Sequence, residues 1–469
     1  MKNFLIGLAM ISGWGVAAWL FVSNGPAPIV LGSRDAAADA AGGEIGKLFR
    51  DWSADPALAG ALVGLCVLDA RGRTIHGSSL AETALCPASS LKTVTTGAAF
   101  ELLGPDFRFE TKLASSAAIG PEGVLAGDLV LHGSGDPTLS SADLEALADA
   151  TVKAGLKQVR GELRIDATVF PRSAVNDHWN WGDIGNAYGA GAYGVNVDHN
   201  RLGVRFAPAA AAGGPAEMTA GGPVARGTRW INRVTTGPPG SGDGVVIYSE
   251  PYSRAITLEG TVPAGEVDFA VTGAIPDPPA LAKDVLEARL KKAGVIFSGT
   301  AGGTDAKVTL ATHTSAPLAE IVDHLHKVSD NLEAQCLFLT MGNLQQGDPA
   351  EVVRKHWESR GVSFTGLRLI DGSGLARANM IRPLDLARVN HAARHGKHGE
   401  RFRQGLSSYL EGTVRSKLGA MSGVKTEVGF LTLNDGREVT FALMANGLGP
   451  DVDFWNLRGK LLSAIRDEG

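Results

Sequence analysis

Amphipathic helical periodicity fills this chain at widely separated places and is missing between them, and that break constrains the fold more than any other feature. Residues 316–341 carry Leu318, Ile321, Val322, Leu325, Val328, Leu332 and Leu337 at helical spacing, an apolar stripe that must pack on a core. A second helical stretch, 89–103, follows Pro87 and ends at Gly104-Pro105, the punctuation of a helix start and stop. Between the two, residues 175–270 are aromatic, glycine-rich and without helical period, and 209–227 reads AAAAGGPAEMTAGGPVARG. Such a stretch forms short strands and loops. Further helical signals at 141–154, 279–293, 350–360, 383–395 and 454–466, with strand-like runs at 124–132, 161–165, 423–432 and 437–445, make the pattern mixed α/β. Asp69-Ala70-Arg71-Gly72 and Asn434-Asp435-Gly436 each lie between apolar runs and predict hairpins.

The 469 residues suit about three domains at roughly 100–200 residues each. Hydrophobic residues are 44% and charged residues 20%, so large cores are available and global disorder is excluded. With a net charge of −5 and no Lys/Arg run, nothing points to nucleic acid as a partner. Cys66, Cys86 and Cys336 are too few for a disulfide framework or a zinc site, and at most one pair, Cys66 with Cys86, could close. His324 and His326 lie two apart and point to different helix faces, so neither a metal nor a cofactor is expected.

Residues 4–22, FLIGLAMISGWGVAAWLFV, form an uncharged apolar run behind Met1-Lys2-Asn3. The run just spans the roughly 30 Å hydrocarbon core as a helix, whereas signal-peptide apolar regions are about 7–15 residues. Residues 1–33 therefore read as a signal peptide or a cytoplasmic-membrane (inner-membrane) anchor through 4–22, and 34–44 as an Ala/Gly-rich tether. Either way Lys2 stays inside and the rest of the chain is exported to the periplasmic, extracytoplasmic side.

Chemistry concentrates at Pro87-Ala88-Ser89-Ser90-Leu91-Lys92, which opens the helix predicted over 89–103. Spacing i, i+3 puts Ser89 and Lys92 one turn apart on one face. A serine attacking an acyl carbon needs a base, and lysine serves once burial or a second cation pulls its pKa down. The helix N-terminus adds backbone N–H groups for a forming oxyanion. Ser422-Gly423-Val424-Lys425 repeats the spacing inside a predicted strand, where it is a chance match.

Two further elements follow in order. Ser329-Asp330-Asn331 comes 240 residues after Ser89, and Lys417-Leu418-Gly419 comes 88 residues after Ser329. Ser-x-x-Lys, Ser-Asp-Asn and Lys-Thr-Gly occur together in serine penicillin-binding proteins and class A β-lactamases. With PASSLKTVTTGAAFELLGPDFRFET around Ser89, GSGDPTLS at 133–140, SDNLEAQ at 329–335, DGSGL at 371–375 and the strand ending Met444-Ala445-Asn446-Gly447, the chain resembles the D-alanyl-D-alanine carboxypeptidase/endopeptidases, the class C low-molecular-mass penicillin-binding proteins. The resemblance covers nearly all of 55–460, and the wide first spacing fits this family better than the class A β-lactamases.

The resemblance implies an α-β-α sandwich with an antiparallel sheet, formed by 45–110 and 307–469. A β-rich insertion, 111–306, interrupts it, with one module at 111–174 and 271–306 and a second nested at 175–270. It implies a serine-type hydrolase of peptidoglycan stem peptides, inhibited covalently by β-lactams. Ser89 would be the acylated nucleophile, Lys92 its base, Lys417 a cation beside it, Ser329 a proton relay and Asn331 a holder of the substrate amide. Asp330, Leu418, Gly419 and Ala420 would border the substrate, with the N–H groups of Ser89 and Ala420 as oxyanion hole. The chain departs from the family at Leu418 and Ala420, where hydroxyl residues are usual. Their loss removes about 1–3 kcal/mol each of charge-assisted bonding to a substrate carboxylate. A second registration on Lys425-Thr426-Glu427 keeps the threonine but loses the glycine. Trp179, Trp181, Tyr188 and Tyr193 are expected to pack a small β module rather than stack on sugars. Asp136 caps the turn at Pro137-Thr138, and Asp371-Gly372-Ser373-Gly374 reads as a structural turn near the site.

Overall fold

The computed structural model describes residues 43–171, 173–299 and 306–469. The signal or anchor expected at 1–33 and nearly all of the tether lie outside the described residues. The last two tether residues, Gly43 and Glu44, instead begin the helix Gly43–Ser53. No helix among the described residues is long and apolar enough to cross a membrane.

Both ends of the chain build one six-stranded sheet. Its order is Ser407–Tyr409, Val414–Met421, Val424–Thr432, Glu438–Asn446, Leu62–Leu68 and Thr74–Gly77, antiparallel at every step. The tight turns come from their sequences. Asp69 Oδ1 accepts from the N–H groups of Arg71 and Arg73, and Gly436 takes φ +87° between the last two C-terminal strands. Leu65, Val67, Phe441 and Leu443 point to one face, where they meet Ile45, Phe49, Phe454, Leu461 and Ile465 of the two terminal helices. Cys66, Leu68, Ala442 and Met444 point to the other and join the helices Lys92–Leu102, Leu318–Val328, Asn331–Leu344, Pro349–Ser359 and Pro383–Arg394. The period-two alternation of the strands makes this a three-layer α-β-α sandwich.

The amphipathic stretch expected as one helix over 316–341 is two helices. Ser329 ends the first in the left-handed region, at φ +60°, and Asp330 caps the second by accepting from Glu333 N. The apolar stripe runs through the break, so periodicity alone hides it. Ser89 lies in a 3-10 turn, Ala88–Leu91, and the α-helix begins at Lys92.

The interrupting segment holds a four-stranded sheet, Val308–Thr314, Glu110–Ser115, Leu129–His132 and Leu163–Asp166, and three small three-stranded sheets. Strand Val308–Thr314 pairs along Glu110–Ser115, so the interruption closes after 314 rather than at 306. Two helices, Ser141–Lys153 and Pro278–Lys292, pack within it. Leu113, Leu131 and Leu147 share one continuous core with Val204, Ile256 and Val271, so the two expected modules bury their apolar faces against each other. Cys66, Cys86 and Cys336 are all free and buried. Cys66 faces the helical core and Cys86 packs with Ala88 and Val424, which excludes the Cys66–Cys86 bridge.

Trp357 is the largest fully buried side chain. Its ring lies where a Cβ on Gly97 would come within 2.9 Å, and its Nε1 donates to Val94 O. Trp357→Ala should therefore lower the unfolding free energy by about 3–5 kcal/mol, read as a lower urea midpoint at unchanged slope.

Candidate active site

The backbone enters the Ser89 turn under constraint. Ala88 takes φ +44°, and its carbonyl oxygen would lie 1.9 Å from any Cβ on Gly374, itself at φ +84°. Only glycine lets the loop 371–376 approach this closely. In the 3-10 turn residues i and i+3 eclipse, and Lys92 Nζ stands 2.9 Å from Ser89 Oγ.

Lys92 is fully buried. Its Nζ also bonds Asn331 Oδ1 at 2.5 Å and Ser373 O at 2.7 Å. Both are acceptors with no hydrogen to give. A neutral amine has two N–H bonds and one lone pair, so the two carbonyl oxygens take the hydrogens and the lone pair is left for the Ser89 hydroxyl. Burial first, and then the charge of Lys417, holds the Lys92 pKa well below the usual lysine value. Asn331 is fixed from its other end, where Nδ2 donates to Tyr188 O at 2.7 Å.

Lys417 is 3% exposed, donates to Ser329 Oγ at 2.9 Å and to Leu418 O at 2.8 Å, and burial lowers its pKa to about 8. The sheet brings it here. The outer strand Ser407–Tyr409 pairs only with 414–416, which leaves 417–421 with an open edge. Gly419 packs so tightly on the Ser89 turn that a Cβ would lie 2.3 Å from Thr426 Oγ1, 2.7 Å from Pro87 O and 2.8 Å from Ser90 N. Thr426 Oγ1 donates to Pro87 O and lies 2.8 Å from Ser90 Oγ. Lys425, the lysine of the alternative registration, instead stands over the Trp455 ring.

A cavity of about 420 Å³ opens over these groups, lined by Ser89, Ser329, Asn331 and Ala420 together with Asp183, Tyr188, Leu375, Arg377, Met421 and Ser422. Leu418 and Gly419, on the same strand as Ala420, do not line the cavity. Asp330, expected to border the substrate, is 3% exposed and turns away, because its carboxylate caps Glu333 N and pairs with Arg201. Asp371 is buried and accepts from Ser373 N, Gly374 N, Ala376 N, Asn379 Nδ2 and Trp179 Nε1, shaping the loop that offers the Ser373 carbonyl. Asp136 accepts from Thr138 N and so caps its turn.

The four aromatics separate. Trp179 and Tyr193 are buried, Tyr193 donating to Pro276 O. Trp181 is 57% exposed, stacked on Tyr248, and Tyr188 is 51% exposed at the cavity. Sequence reasoning missed Ser373, Arg377, Asp183 and Thr426. The Asp371-Gly372-Ser373-Gly374 turn was the available signal for the first. The others reach the site through folding across long separations, with no local pattern.

A sandwich of this order, with a serine-lysine turn packed beneath the open edge of its sheet, is the scaffold of the penicillin-binding serine enzymes. The profile of the D-Ala-D-Ala carboxypeptidase 3 (S13) family matches residues 49–456, and the chain belongs to this family. The D-alanyl-D-alanine carboxypeptidase of Actinomadura sp. (strain R39) is 34% identical over 463 residues, covering 89% of this chain and 84% of that protein. The D-alanyl-D-alanine carboxypeptidase DacB of Haemophilus influenzae is 26% identical over 419 residues, covering 83% and 86%. Penicillin binding protein 4 from Haemophilus influenzae shares the fold, with a TM-score of 0.77 at 22% identity over 89% of this chain and 99% of that one.

Gly419→Ala should push the strand Val414–Met421 off the Ser89 turn. A cost of about 1–3 kcal/mol is expected from the overpacking, and acylation by a fluorescent penicillin should slow at least tenfold, by about the same energy. Labelling at the unaltered rate would show that the contact does not position Ser89.

Proposed function

We propose that this chain is a serine-type D-Ala-D-Ala carboxypeptidase/endopeptidase that works outside the cytoplasmic membrane on peptidoglycan stem peptides, through an acyl-enzyme on Ser89. The observation that carries the reading is the bonding of Lys92, whose two carbonyl partners leave its lone pair to Ser89.

Ser89 Oγ attacks the carbonyl carbon of the penultimate D-alanine as its proton passes to Lys92 Nζ. The carbonyl oxygen becomes an oxyanion, stabilised by backbone N–H groups of Ser89 and Ala420. The C–N bond then breaks. The leaving amine takes a proton through Ser329, whose hydroxyl is bonded to Lys417, and Lys92 gives up the proton it gained. Water, activated by the same lysine, attacks the ester, releases the shortened peptide acid and restores Ser89. A β-lactam enters the same first step, but its amine stays tethered, and the adduct persists.

Binding falls to cations where the usual hydroxyls are missing. Leu418 and Ala420 offer no hydroxyl, so the substrate's terminal carboxylate meets Lys417, while Arg377 and Asp183 at the cavity wall suit a side chain carrying both a carboxylate and an amine. The attraction to Lys417 is nearly desolvated, where charge-assisted bonds are strongest, whereas Arg377 is exposed and its attraction is screened by water and salt.

Two measurements test this reading. Intact mass after incubation with penicillin should rise by one penicilloyl group, and Ser89→Ala should show none; an unmodified wild-type chain at saturating penicillin would refute the proposal. The pH profile of acylation carries a second expectation. Lys92 acts deprotonated, so the rate rises with pH through its lowered pKa. Lys417 acts protonated, so the rate falls as pH passes about 8. Lys417→Arg should keep the charge and move that alkaline limb above about pH 10, and a limb that stays in place would assign it to another group.

A further inference from the structure

Behind the second motif lies a buried polar cluster that the acyl-transfer steps do not use. Asp330 Oδ2 takes a bond from Arg201 Nη2 at 2.6 Å, and His199 Nδ1 stands 4.0 Å from the same carboxylate. His199 Nδ1 is also 3.9 Å from Glu333 Oε1, which bonds His324 Nδ1 at 2.8 Å. Glu333 is 1% exposed, and its Oε2 has no hydrogen-bond partner. Burial and the Asp330 charge raise its pKa well above the carboxylate range, so it gives up its proton less readily than an ordinary glutamate. Burial likewise lowers the His199 pKa. Arg201, 43% exposed at its side chain, is therefore the lasting positive charge on Asp330.

Arg201 and His199 come from the inserted segment, on a backbone built for the purpose. Asp198, His199 and Asn200 all have positive φ, +52°, +54° and +52°. Three consecutive non-glycine residues in this region are costly. The run is held by Asn200, which accepts from Val197 N and donates to Gly191 O and Asn196 Oδ1, and by Asp198, which accepts from Ser141 N and Oγ. This left-handed turn delivers two basic side chains to the residue between Ser329 and Asn331.

The charge balance around Lys92 explains what that delivery does. The amine faces the Ser89 hydroxyl, Asn331 and the Ser373 carbonyl, with charges on Lys417, Asp371 and Asp330 around it. Both carboxylates favour a protonated lysine. Asp371 spends its charge on five N–H donors of its own neighbourhood. Asp330 has one cap bond and Arg201.

We propose that Arg201 is a positioning residue for the base: it neutralises and anchors Asp330, which keeps Asn331 docked on Lys92 and prevents the Asp330 charge from drawing a proton onto the amine. The inference rests on the serine-lysine reading above. It gives the insertion a part in setting the working pH of the site, beyond the cavity wall that Asp183 and Tyr188 supply.

The test is the acidic limb of the pH profile for acylation of the full-length chain, purified in detergent, by fluorescent penicillin. Arg201→Met leaves Asp330 uncompensated, so Lys92 should hold its proton to higher pH. The limb should move up by about half to one pH unit, a three- to tenfold loss of rate on the limb with the plateau nearly unchanged. Arg201→Lys should restore most of the shift. Asp330→Asn keeps a good helix cap and removes the charge, so its limb should move down. An unmoved limb in Arg201→Met, or an equal loss at every pH, would overturn the proposal. If Arg201→Met does not fold, as read by its melting transition, Asp330→Asn decides on the same terms. A wild-type chain that is never acylated would overturn the serine-lysine reading and this inference with it, whereas a labelled wild type with unshifted variants would overturn the inference alone.

Discussion

A lysine amine with no exposure to water is the constraint around which this structure is arranged. Burying a charged ammonium costs several kcal/mol, and a buried polar group without a partner costs more than it returns. The fold therefore has to supply hydrogen-bond acceptors for Lys92 and a reason for it to be neutral. It does so from three places far apart in the chain: the Ser89 turn, the break between two helices at 329–331, and the loop 371–376. Those segments converge because the helices on one face of the sheet share a single apolar core. The polar site is thus held in register by apolar burial around it, and the second lysine, on the sheet, adds repulsion that lowers the pKa of the first one further.

The inserted segment is tied to this arrangement by several bonds, and three of them bear on the residues around Lys92. The Tyr188 carbonyl takes the Asn331 amide, the Trp179 indole donates to Asp371, and Arg201 pairs with Asp330. Each of these bonds orients a residue adjacent to one that touches Lys92, or that residue itself. Hydrogen bonds to buried charged groups are worth roughly 1.5–3 kcal/mol, enough to select one arrangement of a loop or a helix cap over its neighbours. The insertion therefore adds rigidity to the site as well as surface around it. Arg201 opens the strand Arg201–Ala207, whose Leu202, Val204 and Phe206 sit in the insertion's main core, whereas Trp179 packs directly on Leu375 and Ala376 beside the site.

Much of this was legible in the sequence because the relevant signals are local. The hairpins at 69–72 and 434–436, the C-terminal helix and the Ser89–Lys92 pair are set by spacings of a few residues, where turn chemistry and helical period act directly. The helix break at Ser329 was not legible as a break, since the stripe Leu318 to Leu337 keeps its period through it. The cue was Asp330 followed by Glu333, a capping pattern inside a continuous stripe. Strand Val308–Thr314 was placed on the wrong side of a boundary because its partner, Glu110–Ser115, lies about two hundred residues earlier, and pairing at that distance leaves no mark on composition. Asp183, Arg377 and Arg201 were invisible for the same reason: each acts through contacts formed only once the sandwich closes.

The departure at the third motif follows from how that strand is used. Gly419 faces inward, and its missing Cβ is what allows Pro87, Ser90 and Thr426 to approach within bonding range of one another. A side chain there would separate the sheet from the nucleophile's turn, so the fold itself requires the glycine. Lys417 is required twice, as donor to Ser329 and as the charge that depresses Lys92. The positions on either side of Gly419 carry no such duty. Leu418 is half-buried and Ala420 exposed, and neither side chain holds part of the Lys92 network. Substituting them alters the cavity wall while leaving Ser89 and Lys92 in place. The two residues that depart from the family pattern are therefore two whose side chains take no part in the Lys92 network or in the packing on the Ser89 turn, and the lysine and glycine that do take part are present.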